Sequence, residues 1–593
     1  MSEVPALDAA RGQLSALTTG IRTTLPKEAA ARRVIAALLR RGVDTFFGIP
    51  GGPACGLFEA IRVTPAARLI ASRHESHAGF AAATYYRATG RVPALVVTSG
   101  PGITNAVNGI ASASLERIPM LVLAGDVAWT TQGRCLAQNS GPEGLHAEQL
   151  LRSVTRAQIR VAHSRSAVTQ TLAALDVALH PRNPGPALVV LPIDVSMAPC
   201  PMIELPLVEP EPLPEPPLHA VHTTARWLAE AQHPLLVLGA GARRCAGAMQ
   251  ALVDTLGIPF VTTPSAKGLI SELHPYSLRN AGMAASLWAR RYTEQPVDVA
   301  LVLGTDLDDT STGTTRYIAP DGRLIHVDLN AAVFGRNLPT ALGVTADIAA
   351  FARALSAHMQ HDPRAGRFAP LVAELHAQSP FDVPGASEDP ALPIAPHRAL
   401  LDLERAAGPS ARFITDIGEH MLFALHYLTA REAGQFTIQL ALGSMGSGLA
   451  GAIGLALADR DCPVVCVVGD GGMQMSGGEL LLARKERLPI VFAVWNDGRY
   501  GMVHHGMKQI FGAADEWDMP PVDYVMMAAA MDIAAMRVDA PGQITAARLE
   551  GLLASGGPVV LDVRIDKTTR VRGGGRVEAL QHMSMLRTAD PAH

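Results

Sequence analysis

The stretch from Gly469 to Met502 most constrains what this chain can fold into. An apolar run, 464–468, leads into it and predicts a buried parallel strand, and a second apolar run, 490–495, predicts another. Between them, Leu480, Leu481 and Leu482 give a helical segment its apolar side. Strand, helix and strand form one βαβ unit, so the carboxyl ends of both strands lie at one edge of a parallel sheet. Ligands of open α/β sheets bind at that edge.

Oxygen groups suited to a metal ion follow both strands. Asp470, within the turn Gly469-Asp470-Gly471-Gly472, offers a carboxylate, and Asn496 offers an amide oxygen. A backbone carbonyl near Gly498 adds a third ligand. Mg²⁺ prefers oxygen ligands, with phosphate oxygens commonly completing the set. Glycines let the backbone approach phosphates, and the following helix presents free N–H groups, so the unit predicts a diphosphate held through magnesium.

Composition excludes several classes of protein. The 593 residues imply several domains, and a net charge of −4 without a basic stripe argues against nucleic-acid binding. No apolar run is long enough to span a membrane, and the N-terminus lacks an apolar signal core. The six cysteines form no CxxC pair, which is typical of a reducing compartment. We therefore expect a cytoplasmic protein without membrane or nucleic-acid partners.

Repeated strand–loop–helix units after a loose extension, 1–25, predict a doubly wound parallel sheet at the start of the fold. The predicted helix 27–41 leads into a strand that ends at Pro50-Gly51-Gly52-Pro53. A later strand leads to Glu75 and to the Ala-rich helix 78–89. Alone, Glu75 fits a carboxylate stabilised by the N-terminus of a helix.

Five segments resemble the acetohydroxyacid (acetolactate) synthase group of thiamine diphosphate enzymes. They read FGIPGGPACGLFEAI, RHESHAGFAAATYYRATG, VTSGPGITNAVNGIASASLERIPMLVLAGDV, LGSMGSGLAGAIG and GDGG…NDGRYGM. The resemblance runs from about residue 27 to about residue 565. It implies an α/β fold of three doubly wound parallel-sheet domains: pyrimidine-binding, central and diphosphate-binding.

Domain boundaries follow from this architecture and from composition. The expected order is an extension 1–25, the pyrimidine-binding domain 26–196, a Pro-rich linker 197–219, the central domain 220–360, a polar linker 361–393, the diphosphate- and magnesium-binding domain 394–565, and a tail 566–593. In relatives the central domain binds FAD, an ADP-like group or nothing, and GTDLDDTSTG and HVDLNAAVFGRN resemble the FAD-binding forms.

The resemblance implies thiamine diphosphate and Mg²⁺ as cofactors, with Glu75 as the catalytic residue. A carboxyl group at Glu75 would bond to pyrimidine N1′, so that the 4′-imino form removes the C2 proton. Met445 matches the side chain that wedges between the two cofactor rings. Glu419 stands where relatives often have Gln, and we expect it to point away from the phosphates or to be protonated. The metal set is Asp470, Asn496 and Gly498, and the remaining cofactor contacts are Gly51, Gly418, Glu419, His420, Gly443, Gly469, Gly471, Gly472, Arg499, Tyr500, Gly501 and Met502.

Departures from the group concern the substrate. Asp306 stands where authentic synthases carry an Arg that pairs with the acceptor carboxylate, and Gly506 stands where they carry a Trp. His146-Ala147 replaces a Phe-Gln pair, and His505 is either a proton shuttle or a surface histidine beside His504. The expected substrate pocket comprises Pro53, His146, Asp306, Met502, His505 and Gly506.

Three classes of function compete. A carboligase would decarboxylate pyruvate or a related 2-oxo acid and pass the acyl carbanion to an acceptor, here a neutral aldehyde or ketone. A lyase would only cleave, as a 2-oxo acid decarboxylase or C–C lyase does. A non-catalytic cofactor-binding protein is disfavoured because Glu75, Asp470 and Asn496 are all present. Since the resemblance pairs the Glu-bearing domain of one chain with the GDG-bearing domain of another, we expect a homodimer or homotetramer.

Overall fold

Three parallel sheets form the framework of the molecule. The computed structural model describes residues 25–572 and 577, except 132, 203–210, 314, 363, 365 and 513–517. Within those residues the strands form three six-stranded sheets, with every strand pairing parallel. Alternate residues of one strand pack into different cores: Val464, Cys466 and Val468 into one, Val465 and Val467 into another. The sheets are covered on both faces, which confirms the predicted doubly wound fold.

The first sheet lies in the N-terminal part of the chain. Its strands are β1 (Thr45–Gly48), β2 (Arg68–Ala71), β3 (Ala94–Val97), β4 (Met120–Asp126), β5 (Gln158–Arg160) and β6 (Pro186–Pro192), in the order β2-β1-β3-β4-β6-β5. Its helices are α1 (Ala30–Arg40), α2 (Cys55–Arg62), α3 (Glu75–Thr89), α4 (Pro101–Leu115), α5 (Ala147–Leu150), α6 (Ala167–Ala178) and α7 (Ile193–Met197).

The second sheet forms the middle of the chain. Its strands are β7 (Pro234–Leu238), β8 (Phe260–Thr262), β9 (Ser277–Asn280), β10 (Val299–Leu303), β11 (Arg323–Asp328) and β12 (Leu342–Thr345), in the order β12-β11-β10-β7-β8-β9. The helices here are α8 (Leu218–Glu230), α9 (Ala246–Leu256), α10 (Leu287–Glu294), α11 (Asp309–Thr312), α12 (Ile348–Met359) and α13 (Ala369–His376). Helix α13 lies in the segment predicted as a polar linker, and its buried Val372 packs into the core of this sheet.

The third sheet repeats the topology of the first. Its strands are β13 (Arg412–Thr415), β14 (Phe436–Ile438), β15 (Val464–Gly469), β16 (Ile490–Trp495), β17 (Ala534–Val538) and β18 (Val559–Val563), in the order β14-β13-β15-β16-β18-β17. Its helices are α14 (Pro396–Ala407), α15 (Glu419–Tyr427), α16 (Ser447–Ala458), α17 (Asp470–Ser476), α18 (Leu480–Lys485), α19 (Gly501–Phe511), α20 (Tyr524–Ala530) and α21 (Ala546–Leu553). The chain reverses its strand order between β13 and β15, and a crevice opens at such a point in doubly wound sheets.

Helix α3 joins the first and third sheets in one core. It is Ala-rich and buried along most of its length, and it packs between α4 and α16. The helices approach closely because glycines face it: a Cβ on Gly454 would lie 2.1 Å from the carbonyl oxygen of Ala81. Helix α3 begins at Glu75, three residues before the predicted helix 78–89, because the His74 side chain accepts the N–H of Ser76 and caps the first turn.

Two further observations bear on the predicted organisation. Among the described residues, none of the helices combines the length and apolar character that a bilayer crossing requires. Most of the predicted tail, 573–576 and 578–593, lies outside the described residues, as does the extension 1–24.

Candidate active site at the edge of the third sheet

Asp470 and Asn496 leave neighbouring strands at the same edge of the third sheet. Strands β15 and β16 pair in parallel, and Gly469 lies opposite Trp495. The residues that follow them, Asp470 and Asn496, therefore lie side by side. Asp470 is only 3% exposed. Its carboxylate accepts the N–H of Gly471 at 2.8 Å and the N–H of Gly498 at 2.7 Å. The structure thus brings the three predicted metal-binding residues together.

The amide of Asn496 is held in one orientation. Its Nδ2 donates to the carboxylate of Asp562 at 2.8 Å and to the carbonyl oxygen of Val522 at 3.0 Å. Both partners are acceptors, so the nitrogen is assigned unambiguously and Oδ1 faces the other way. No described residue donates a hydrogen bond to that oxygen, which suits coordination of a cation.

The turn at Gly498 supplies the third oxygen. Its φ of +72° lies in the left-handed region, which glycine adopts without strain. The carbonyl of Gly498 accepts the N–H of Met519 at 2.7 Å, and a carbonyl oxygen has a second lone pair for another partner. Asp470, Asn496 and Gly498 therefore offer three different oxygen types, a donor set that fits Mg²⁺.

The electrostatics of this set favour a bound cation. Burial raises the pKa of Asp470 to about 7, and the nearby Asp497 carboxylate adds to the rise. Burial also raises the pKa of Asp497, although Arg499 opposes the rise. Negative charge is costly here without a counter-charge, and a divalent metal would supply one.

A pocket of about 200 Å³ opens beside Asp470, and its lining includes neither Asn496 nor Gly498. A Cβ built on Gly471 would lie 2.6 Å from the Tyr500 ring and 2.9 Å from the Met445 methyl, so only glycine fits beneath them. Burial lowers the pKa of His420 to about 4, and its Nε2 is buried with no hydrogen-bond partner among the described residues. Because the other ring nitrogen donates to the Asp416 carbonyl, the neutral Nε2 presents a lone pair that would accept a hydrogen bond from a bound group. The predicted cofactor residues that line the pocket are Gly418, Glu419, His420, Gly443, Met445, Gly469, Asp470, Gly471, Gly472, Arg499, Tyr500, Gly501 and Met502.

Asp416 is a buried carboxylate beside the pocket that sequence reasoning missed. It is fully buried at the end of β13 and accepts the N–H groups of Gly446 and Gly448, each at 2.8 Å. These two bonds flank and position the turn that carries Met445. Burial raises the pKa of Asp416 to about 6. A signal was present, because Asp416 follows an apolar strand just as Asp470 does.

Glu75 belongs to a separate half-site on the first sheet. It is 7% exposed, and its Oε2 accepts a hydrogen bond from Asn105 Nδ2 at 3.1 Å. Gly102 faces its other oxygen: a Cβ there would lie 3.5 Å from Oε1. A Cβ on Gly51 would meet the side chain of Thr98 at 2.5 Å, and the Thr98 hydroxyl is buried with no hydrogen-bond partner in the described part of the chain. Two glycines and the Thr98 hydroxyl thus lie around this carboxylate.

Glu479, also missed by sequence reasoning, links the two half-sites of one chain. It is 1% exposed, and its Oε1 accepts the backbone N–H groups of Arg73 and His74 at 2.7 and 3.0 Å. His77 Nδ1 lies 3.3 Å from the same oxygen. Glu479 lies in the segment that follows Asp470, and its contacts hold the backbone immediately before Glu75 in place. The sequence gives no local sign of it, since the partners are about 400 residues apart.

Within one chain, the pocket and Glu75 remain apart. Every residue that lines the pocket lies between Pro396 and Thr569. Glu75 is not among them, and its hydrogen-bond partner, Asn105, lies on the same domain.

The predicted substrate residues divide into two groups. Met502 and His505 line the pocket, and Pro53, His146, Asp306 and Gly506 do not. Asp306 is half-exposed and forms an ion pair with Arg117 at 3.0 Å. His146 has a left-handed backbone, with φ of +55°, and Pro53 lies in a short 3₁₀ turn after β1. A Cβ on Gly506 would lie 3.3 Å from Val577, so the tail partly covers that position.

Family models cover most of the chain. Residues 29–150 match the thiamine pyrophosphate enzyme N-terminal TPP binding domain, residues 221–355 the central domain, and residues 416–563 the C-terminal TPP binding domain. The half-site around Glu75 lies in the first match, and most of the pocket, together with Asp470 and Asn496, lies in the third.

Curated relatives extend the match over nearly the full length. The chain is 30% identical over 550 residues to acetolactate synthase 1, chloroplastic, of Oryza sativa subsp. japonica, covering 89% of this chain and 83% of that protein. It is 27% identical over 557 residues to the acetolactate synthase isozyme 1 large subunit of Escherichia coli strain K12, covering 93% and 97%. It is 29% identical over 562 residues to an acetolactate synthase of Mycobacterium bovis, covering 91% and 88%. With three matching domains and relatives of this kind, the chain belongs to the thiamine pyrophosphate enzymes, as an acetolactate synthase-like member.

Proposed function

We propose that this enzyme is a thiamine diphosphate- and Mg²⁺-dependent carboligase. It decarboxylates pyruvate or a related 2-oxo acid and transfers the acyl unit to an acceptor. The observation that carries the proposal is the oxygen set of Asp470, Asn496 and Gly498, with the Asn496 amide oriented by two acceptors. When bound, thiamine diphosphate supplies a nucleophilic carbon and an electron sink for decarboxylation.

Each half-site has a distinct task in this proposal. Asp470, Asn496 and the Gly498 carbonyl hold Mg²⁺, and the turns at Gly418 and Gly469 give the diphosphate close backbone approach. Met445 supports the bend of the cofactor. Glu75 Oε2 is occupied by Asn105, which leaves Oε1 to hold a proton toward a ring nitrogen.

A second copy of the chain completes the active site. All residues that line the pocket lie between Pro396 and Thr569, and Glu75 is not among them. We propose a homodimer, or a homotetramer built from two such dimers, in which the first-sheet half-site of one copy faces the third-sheet pocket of another.

The acceptor is proposed to be a neutral aldehyde or ketone. A 2-oxo acid acceptor needs a cation for its carboxylate, because an unpaired buried charge costs several kcal/mol. Two arginines that could replace the missing one are occupied. Arg160 pairs with Asp126 and Glu148, and Arg279 donates to the Leu428 carbonyl. Asp306 stands at the usual Arg position, although Arg117 offsets its charge.

An enzyme that only cleaves is the second candidate. The same shortage of an acceptor cation would suit a 2-oxo acid decarboxylase or C–C lyase, in which no second carboxylate is bound. The two functions differ in product: a carboligase forms a C–C bond and a decarboxylase releases an aldehyde.

The ligand of the central domain is a separate question, which the family resemblance leaves with three answers. FAD, an ADP-like group or no ligand would each be compatible with the resemblance. Asp328, at the end of β11, lies 3.7 Å from Arg117, so a nucleotide contacting this carboxylate would compete with that arginine. The visible absorption spectrum of the purified protein distinguishes a flavin from the other two.

Product analysis tests the proposal directly. The purified protein is incubated with pyruvate, thiamine diphosphate and Mg²⁺, alone and with a panel of aldehydes, ketones and 2-oxo acids. We expect activity only with both cofactors, slow acetolactate formation, and faster ligation to a neutral acceptor. If none of the neutral acceptors changes the rate of acetolactate formation, the acceptor assignment is rejected. Activity after removal of both cofactors would reject the mechanism.

A further inference from the structure

Two buried polar atoms face each other in the pocket wall. His505, on α19, is 8% exposed, and its Nδ1 lies 3.4 Å from Oε1 of Glu419, the first residue of α15. Neither atom makes a hydrogen bond of good geometry with any described residue. Burying such groups without partners costs free energy, so the arrangement requires an additional group or a proton.

The second nitrogen of His505 fixes where its hydrogen lies. Nε2 is 3.3 Å from the backbone carbonyl oxygen of Lys567, which can only accept a hydrogen bond. Nε2 therefore carries a hydrogen, and a neutral imidazole then presents a lone pair at Nδ1. That lone pair would face an ionised Glu419, which also only accepts. One additional proton, on either Nδ1 or Oε1, converts this repulsion into a hydrogen bond.

Charged and titratable side chains of both signs surround the pair. Asp497 Oδ2 and the Glu419 side chain lie on the same side of Gly501, within 3.5 Å of a Cβ built there. Arg499 donates to the Lys567 carbonyl, and the ring of His504 is 5.6 Å from that of His505. The other titratable or charged residues that line the pocket are His420, Asp470, Tyr500, Asp566 and Lys567. Among these groups the carboxylates are those of Asp470, Asp497 and Asp566, and the fixed cations are Arg499 and Lys567.

The same wall meets the proposed diphosphate position. Glu419 lies in the turn 418–420, which lines the pocket with the turn 469–472. An ionised carboxylate would repel phosphate, whereas a carboxyl group or a carboxylate paired with imidazolium would not. We propose that Glu419 and His505 share one proton and contact the cofactor diphosphate in that protonated form, so that cofactor binding takes up a proton. This inference rests on the proposed function.

The direction of the pH dependence follows from linkage. At pH values at which the pair has no shared proton in the apoprotein, cofactor binding must add one. The association constant of the cofactor then falls about tenfold for each unit by which the pH rises. Where the free pair already holds its proton, this contribution to the affinity does not change with pH. Glu419→Gln removes the requirement, because an amide N–H can donate to Nδ1 of a neutral His505.

Calorimetric titration of the apoprotein with thiamine diphosphate at saturating Mg²⁺ measures the proton count. The binding heat is recorded in buffers of different ionisation enthalpy across pH 6–9, for the wild type, Glu419→Gln and the matched control Glu432→Gln. Glu432 is an exposed glutamate of the same domain. Protons exchanged at other groups, including Asp470, are common to all three proteins. The difference between wild type and Glu419→Gln therefore isolates the pair.

We expect wild type and Glu432→Gln to take up about one proton more than Glu419→Gln at the upper end of this range. His505→Asn should move the onset of the affinity loss to lower pH, because Glu419 then holds its proton without the imidazole. Equal proton uptake in wild type and Glu419→Gln, with normal cofactor binding, would overturn the shared proton and leave the proposed function intact. Absence of cofactor binding in the wild type would overturn both. If Glu419→Gln fails to fold, the titration of His505→Asn tests the inference instead. The inference is rejected if the cofactor affinity of His505→Asn begins to fall at the same pH as that of the wild type.

Discussion

Replacing Asn496 by Asp is expected to weaken magnesium binding, although a carboxylate is ordinarily a good magnesium ligand. The Asn496 amide nitrogen donates to Asp562 at 2.8 Å and to the Val522 carbonyl at 3.0 Å. Aspartate at this position would place an acceptor against both acceptors. It would also bring two carboxylates to hydrogen-bond distance, one of them on the fully buried Asp562.

The expected cost follows from these contacts. Loss of the bond to Asp562 leaves a buried acceptor oxygen unsatisfied, at about 1–3 kcal/mol, whereas the Val522 carbonyl still accepts from Arg564 at 3.2 Å. An added buried charge without a partner costs a further ~3–5 kcal/mol. Asn496→Ala loses the same two bonds but adds no charge, and Asp562 keeps its bond to Arg564 at 2.9 Å. The apoprotein melting temperatures should therefore fall in the order wild type, Asn496→Ala, Asn496→Asp.

Thermal unfolding of the apoproteins and calorimetry with Mg²⁺ and thiamine diphosphate test this ordering. The double variant Asn496→Asp/Asp562→Asn is the informative control, because it exchanges amide and carboxylate and restores one hydrogen bond between the two positions. It should melt above Asn496→Asp. Wild-type stability of Asn496→Asp, together with tighter magnesium binding, would refute the reasoning from the Asp562 contact.

Three other outcomes are expected. Glu75→Gln should bind cofactor but exchange the cofactor C2 proton far more slowly, as measured by NMR; unchanged exchange would make Glu75 only a helix-terminal charge. Mixing inactive Glu75→Ala and Asp470→Ala chains should restore part of the activity through shared sites, and a fully active monomer in sedimentation would contradict this. Asp416 has a pKa of about 6 in the fold against 3.8 ordinarily, so its stabilising contribution is complete below about pH 4 and is lost as the pH rises through 6. Wild type should lose up to about 3 kcal/mol more than Asp416→Asn between pH 4 and 7, and parallel melting curves would disprove it.

The sequence predicts those parts of the fold and site that depend on local pattern and topology. Apolar runs of strand length, separated by a helix, imply a right-handed βαβ unit with adjacent carboxyl ends. That geometry alone brings Asp470 and Asn496 together, and the strand pairing confirms it. The same reasoning predicts the first doubly wound sheet, whereas the architecture of three such domains is an implication of the family resemblance.

Contacts between distant segments could not be predicted in this way. The orientation of Asn496 depends on Asp562, 66 residues later, and the backbone before Glu75 is held by Glu479, 406 residues after Arg73. No periodicity or turn signal encodes such pairs, because each partner looks locally like an ordinary acidic residue. The ion pair between Asp306 and Arg117, 189 residues apart, belongs to the same class.

The acidic residues in and beside the pocket contact different partners, and this implies that metal and diphosphate depend on each other for binding. Asp416 is satisfied by backbone N–H groups, Asp497 lies 3.5 Å from Arg499, and Glu419 faces His505. Asp470 accepts backbone N–H groups but has no cationic side chain within salt-bridge distance among the described residues. A diphosphate without metal would thus approach an uncompensated carboxylate, and Mg²⁺ without diphosphate would have only part of its ligand set from the protein. Each should therefore raise the affinity of the other by the same factor, since coupling between two bound ligands is reciprocal.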